Sequence, residues 1–114
     1  MRIGYSEENS QMSRSEAQRR YQNLIHYRIR PMLVDRSKSD SDRVLIIKRI
    51  CREANNIRAE ALAPAGPGTR EELVDILSPL LRKPDSEVSE EFKGWIKRCF
   101  RIFGAQYEGA EDYE

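Results

Sequence analysis

The sequence predicts an all-α protein, a small bundle of four to five helices. Three observations lead there. Apolar residues recur at i, i+3/i+4 spacing in four separate stretches. No stretch sustains the period-2 alternation of a strand, and no Asn-Gly or Asp-Gly hairpin signal occurs. Serine, threonine, aspartate, proline and glycine cluster where the periodic stretches begin and end. The 114 residues suit a single domain. Such a domain buries roughly two-thirds of its unfolded surface and folds without covalent staples. Hydrophobic residues make up 39% and charged residues 34%. That is a high charge content, and the clear apolar period assigns it to solvated helix faces rather than to disorder.

Residues 1–12 are polar, charged and aperiodic, and read as a flexible leader. The domain proper is expected over 13–104. Its first helix starts near Ser13 or Ser15. Ala17, Tyr21, Leu24, Ile25, Ile29 and Met32 form its apolar face. Pro31 is expected to end or kink it, because proline lacks an N–H and its ring clashes with the preceding turn. Asp35–Asp42 reads as a loop, with Asp40 or Ser41 as the N-cap of a second helix running from Asp42 to Ala63. Its apolar stripe is Ile46, Ile47, Ile50, Ala54, Ile57 and Ala61, with Cys51 at the edge. The Ala63–Gly68 segment APAGPG stops it.

Thr69 and Glu72 have the spacing of a capping box for a third helix, whose apolar side is Leu73, Ile76, Leu77, Leu80 and Leu81. Pro79 falls on the opposite face and is expected to split that helix near Ser78. A fourth helix begins near Ser86 or Ser89 and ends at Phe103, with Gly104 as its stop. Residues 105–114 read as an acidic tail.

The fourth helix holds four large aromatics among four basic residues. At about 100° per residue, Phe92, Trp95, Ile96, Cys99, Phe100, Ile102 and Phe103 fall within one arc of roughly 160°. Lys93, Lys97, Arg98 and Arg101 fall outside it. Aromatics and cations therefore part company on the wheel, which favours a core helix over a nucleic-acid stacking platform or a membrane-lying helix. Acidic Asp85, Glu87, Glu90 and Glu91 precede the basic groups, a polarity that complements the helix dipole. Trp95 and the phenylalanines are expected to be the main anchors.

Several chemistries find no support. No apolar run approaches the ~20 residues of a membrane span, and the N-terminus lacks the apolar core of a secretory signal. An intracellular setting, nuclear or cytoplasmic, is expected. Two distant cysteines and one histidine do not make a metal site, and no metal or cofactor is expected. Cys51 and Cys99 are expected to be buried free thiols. No catalytic constellation stands out. His26 is the only histidine and sits among Arg19, Asn23 and Arg30 on a polar face. The proline/glycine-rich APAGPGT lacks the Gly-Lys-Ser/Thr ending of a phosphate loop. The protein is not expected to be an enzyme.

Charge is uneven. Residues 1–60 carry 13 basic and 8 acidic side chains, a net +5, and residues 61–114 carry 7 and 11, a net −4. Arg19, Asn23, His26 and Arg30 lie at i, i+4, i+7 and i+11, one basic-polar stripe on the first helix. Arg28 points to the apolar side instead. It is expected to snorkel, to pair with a carboxylate of another helix, or to line an interface with Tyr27. The function expected is a non-catalytic, adaptor-like or regulatory domain. It would bind a protein or peptide partner of acidic character through Arg19, Asn23, His26, Tyr27, Arg28 and Arg30. The alternative is nucleic-acid binding by the basic first and second helices, with Arg36, Lys38, Arg43, Lys48, Arg49 and Arg52 extending the stripe; the near-neutral total charge weighs against strong nonspecific affinity. A homo-oligomer is a third reading. Ser39 and Ser41 precede acidic residues near a helix start, a setting in which a phosphate would be stabilised by the dipole.

Overall fold

A computed structural model describes residues 12–106. The leader assigned to 1–12 and the tail assigned to 105–114 lie outside these residues apart from Met12, Ala105 and Gln106. Among the described residues every regular element is helical, as the periodicity predicts. The elements are α1 (Arg14–Leu24), a π-helical turn (Ile25–Ile29), α2 (Arg30–Val34), α3 (Asp40–Ala61), α4 (Pro67–Leu81) and α5 (Glu90–Phe103). The first three run on without a break, so the bundle has four helical rods.

Ser13 caps α1, its hydroxyl accepting from the N–H of Glu16. Ala17, Tyr21, Leu24, Ile25, Ile29 and Met32 are all buried, as their spacing predicts. Pro31 does not end this rod, contrary to expectation. The chain widens into the π-helical turn just before it, and the N–H of Arg30 reaches back five residues to the carbonyl of Ile25. The wider turn gives the pyrrolidine ring room, and proline has no N–H to leave unpaired. Past Asp35, the rod's end is tied to α3 by Arg43, which donates to the carbonyls of Met32 (3.3 Å) and Asp35 (3.0 Å).

The cap of α3 is Ser39 rather than Asp40 or Ser41. Ser39 and Asp42 exchange hydrogen bonds in a full capping box, Asp42 N–H to Ser39 Oγ at 3.1 Å and Ser39 N–H to Asp42 Oδ2 at 3.0 Å. Asp40 is engaged elsewhere, accepting from the N–H of Ser89 (3.3 Å). The helix ends at Ala61, not Ala63, because Leu62 turns left-handed at φ 55°. Its buried stripe is Val44, Ile47, Ile50, Cys51, Ala54 and Ile57, while Ile46 and Ala61 only flank it.

The expected Thr69 capping box is absent. The α4 helix starts three residues earlier, with Gly66 as cap and Pro67 at its first position. Thr69 is buried and donates to Gln22 Oε1 (2.6 Å). Pro79 does not split α4 either; the helix continues to Leu81, with Pro79 exposed in its last turn.

In α5 the sequence reading holds at both ends. Ser89 caps the start and Gly104, at φ 84°, stops the helix. Ala105 N–H bonds to Phe100 O (2.8 Å) and Gly104 N–H to Arg101 O (3.1 Å), the paired bonds of a Schellman motif. Arg58 adds bonds to the carbonyls of Arg101 and Ile102 (both 2.9 Å), and the Ala65 N–H reaches Phe103 O (3.0 Å). All four terminal carbonyls are thus satisfied.

The largest helix interface is between α3 and α5. The two run parallel: Asp40 meets Ser89 at their starts, Cys51 Sγ approaches the Trp95 carbonyl (3.8 Å) midway, and Arg58 meets Ile102 at their ends. Phe92, Ile96, Cys99, Phe100 and Phe103 are buried along this seam. Trp95 is only half-buried, so the phenylalanines, not the tryptophan, anchor the core. Tyr21 packs on Phe103 with ring centroids 5.1 Å apart and donates its hydroxyl to Ala63 O (2.9 Å). Cys51 and Cys99 are buried free thiols. Contact with Cys51 and complete burial hold the Cys99 thiol well above its ordinary range.

Candidate functional site

The stripe of α1 divides once the rod is folded. Arg19, Asn23 and His26 remain exposed. Arg19 lies 4.0 Å from Glu16, which pairs more closely with Arg20 (2.8 Å). Arg30 is rotated by the π-helical turn toward α4 and binds Glu72 at 2.5 Å. Glu72 also accepts from Gln22 Nε2 (3.0 Å), and Gln22 contacts His26 at 3.4 Å. The Arg30 guanidinium, opposed by partial burial, holds the Glu72 carboxyl below its usual range. Arg30 and Gln22 are therefore used to dock the first rod on α4, and no continuous free stripe survives.

Arg28 resolves in favour of an interhelical pair. Its guanidinium meets Glu53 of α3 at 2.7 Å. Beside this pair lies an open cleft of about 330 Å³ between the first rod and α3. Leu24 and Ile57 form its apolar floor. Arg20, Asn23, Tyr27, Arg28, Glu53 and Asn56 stand round it. Tyr27 is 72% exposed, which is unusual for so large a ring. Val34, one π-widened turn and one α-turn further along, is 75% exposed, and Pro31 between them is exposed as well. Of the six partner-binding residues expected from sequence, the structure brings Asn23, Tyr27 and Arg28 to one cleft. Arg19, His26 and Arg30 do not line it.

The second predicted set also divides. Arg43 is half-buried and satisfies backbone carbonyls, so it is a fold residue. Lys38 pairs with Asp35 (3.6 Å). Arg36 is exposed near the end of the first rod, away from Lys48, Arg49 and Arg52 on α3. Lys48 lies over the Trp95 ring at 5.5 Å, and Arg98 covers the same ring at 4.4 Å. This corrects the helical-wheel reading. Cations and the indole do meet, because α3 supplies one cation and Arg98 stands one turn after Trp95 on the same helix.

Sequence reasoning missed Arg20, Glu53, Asn56 and Ile57 as cleft residues. Each sits on an ordinary helix face, and only the packing of the first rod on α3 makes them neighbours. The exposed apolar Leu45 and Leu62 were also missed. Among the described residues no helix is long and apolar enough to cross a membrane, and no group of three or more His, Cys, Asp or Glu is arranged to hold a metal ion. Compared with protein-family models, with curated proteins and with solved structures, the chain finds no match.

Proposed function

We propose that this is a non-catalytic protein-interaction domain that takes a short partner peptide in the cleft between the first rod and α3. The observation that carries this reading is Tyr27. A tyrosine 72% exposed beside an apolar floor of Leu24 and Ile57 leaves contact area that a partner can cover. The cleft volume is at the low end for small-molecule sites and suits one or two large side chains. Asn23 and Asn56 supply amide donors and acceptors at its rim, and Arg20 and Arg28, each paired with one carboxylate, keep further guanidinium N–H donors for another. The occupant that fits is a peptide with an apolar anchor residue flanked by a carboxylate. A π-helical turn under Tyr27 adds to the case, since such turns often mark functional sites.

Selection of displayed peptides on the wild-type domain tests this directly. Enriched peptides should carry a large apolar residue next to Asp or Glu. The change Tyr27→Ala should weaken them by about tenfold or more, and Arg19→Glu should leave them nearly unchanged. Peptides that bind Tyr27→Ala as tightly as the wild type would refute the cleft as the site.

A further inference from the structure

The parallel seam of α3 and α5 has a charge distribution that the cleft does not explain. Most cations of the described residues are neutralised or engaged within the fold. Arg20 pairs with Glu16, Arg28 with Glu53, Arg30 with Glu72, Lys83 with Glu87 and Lys93 with Asp85. Arg43, Arg58 and Arg70 bind backbone carbonyls. Lys48, Arg49 and Arg52 of α3, with Arg98 and Arg101 of α5, have no carboxylate within 4 Å among the described residues. Between Asp42 and Glu60 the only carboxylate of α3 is Glu53, which faces Arg28. After Glu91, α5 carries none.

We infer that this seam, centred on Trp95, binds a single-stranded nucleic acid. Lys48, Arg52 and Asn55 lie at i, i+4 and i+7 on α3; Trp95, Arg98 and Ile102 lie at i, i+3 and i+7 on α5. The helices are parallel and touch at Cys51 and Trp95, so the two rows run side by side. The indole holds Lys48 at 5.5 Å and Arg98 at 4.4 Å without neutralising either charge. A ring quadrupole orients a cation but leaves its hydrogen-bond donors free for a phosphate. The half-buried indole stands in the α5 row with Arg98 over its ring, and an unstacked base can stack on the exposed Arg98 guanidinium.

Three features favour a single strand over other anions. A lone helix fits the major groove of a duplex, about 12 Å wide, but two helices packed side by side at 8–10 Å do not. A membrane-lying surface needs several exposed apolar residues to insert, and here Leu45 stands alone beside the rows, with Trp95 and Ile102 both half-buried. A row of cations along two parallel helices matches the repeating charge of a phosphodiester chain. Glu91, one turn before Trp95, bounds the strip at its N-terminal end. The seam is independent of the cleft, and failure here leaves the peptide-binding reading untouched.

The test is fluorescence anisotropy of the full chain with labelled 20-nucleotide oligouridine and oligothymidine at several salt concentrations. Vesicles with anionic phospholipid and a labelled polyglutamate serve as comparators. Arg52→Glu/Arg98→Glu should weaken oligonucleotide binding by about tenfold or more at low salt and flatten the log K against log salt slope by about 0.7 per lost contact. Arg14→Glu/Arg36→Glu makes the same change in net charge at two exposed residues off the seam, and should alter affinity less than about twofold if contacts decide. Arg52→Glu alone, at an exposed position of α3, provides a second seam variant should the first lose helical circular dichroism. Equal losses in the seam and control variants would overturn the proposal, as would absence of oligonucleotide binding at low salt. Equal or tighter binding of polyglutamate or vesicles would also overturn it in favour of a general anion surface.

Discussion

Gly104 shows how one residue closes the bundle. Its φ of 84° lies in the left-handed region, and an added Cβ would meet Pro64 Cβ at 2.7 Å. The position needs glycine for its dihedral and for its space. Gly104→Ala should therefore cost about 1–2 kcal/mol or more, read as a lower midpoint in urea with an unchanged slope. Leu62 has the opposite relation to its backbone. It adopts φ 55° with 74% of its surface exposed, so it carries strain and gains little burial. Leu62→Gly should stabilise by about 0.5–1 kcal/mol in the same assay. Glu72 makes a pH prediction. Its folded carboxyl titrates below the unfolded one because Arg30 stabilises the charged form. Its contribution is present above the unfolded value, about 4.3, and is lost as pH falls through the lower folded value. Glu72→Gln should thus be less stable than wild type near neutrality, and the gap should narrow as the medium is taken below about pH 4. A gap that stays constant into acid would show that the Arg30 pair adds nothing.

At the scale of elements, the sequence was most legible where periodicity and caps agree. The buried face of the first rod, the Ser13 and Ser89 caps and the Gly104 stop all follow from local rules that each helix satisfies by itself. What escaped was set by partners distant in sequence. Thr69 has the spacing of a cap but turns inward to Gln22, and Asp40 looks like a cap but bonds to Ser89. Pro31 should break a helix, yet a π-helical turn that no 3.6-residue period reveals absorbs it. The same turn moves Arg30 out of the stripe that a uniform wheel draws. Trp95 was overrated for a related reason: it lies near the edge of the apolar arc, where its ring stays half-buried beneath Lys48 and Arg98. Phe92, 1% exposed, and half-buried Trp95 now separate by experiment. Phe92→Ala should cost about 3–5 kcal/mol, and Trp95→Ala less than half of that, in parallel denaturant titrations. The thiols report the same seam. Cys51 and Cys99 should react slowly with a thiol reagent in the native protein and at the rate of ordinary cysteines after unfolding. Rapid native labelling of either would mean that the α3–α5 contact opens readily.

At the scale of the whole molecule, α3 is a wall shared by both proposed surfaces. Glu53 faces the first rod and the cleft; Lys48 faces α5 and Trp95. The two residues are five positions apart, about 140° around the helix. The core between them, Ile47, Ile50, Cys51 and Ala54, is fully buried and offers no side chain common to both sites. Communication between cleft and seam would require α3 itself to shift. Its position is fixed at both ends, by Asp40 on Ser89 and by Arg58 on the terminal carbonyls of α5. The two surfaces should therefore act independently. Tyr27→Ala should weaken a cleft peptide without changing oligonucleotide affinity, and Arg52→Glu should do the reverse. In the double variant each loss should equal that of the single change within about 0.5 kcal/mol, the usual scatter for separated sites. Saturating the cleft with peptide should leave the anisotropy titration of the oligonucleotide unmoved, since coupling between sites is reciprocal and no element links them. A larger interaction energy would locate the hinge at Arg58. Arg58→Ala, which frees the end of α3 from α5, should then change that coupling more than it changes either affinity alone.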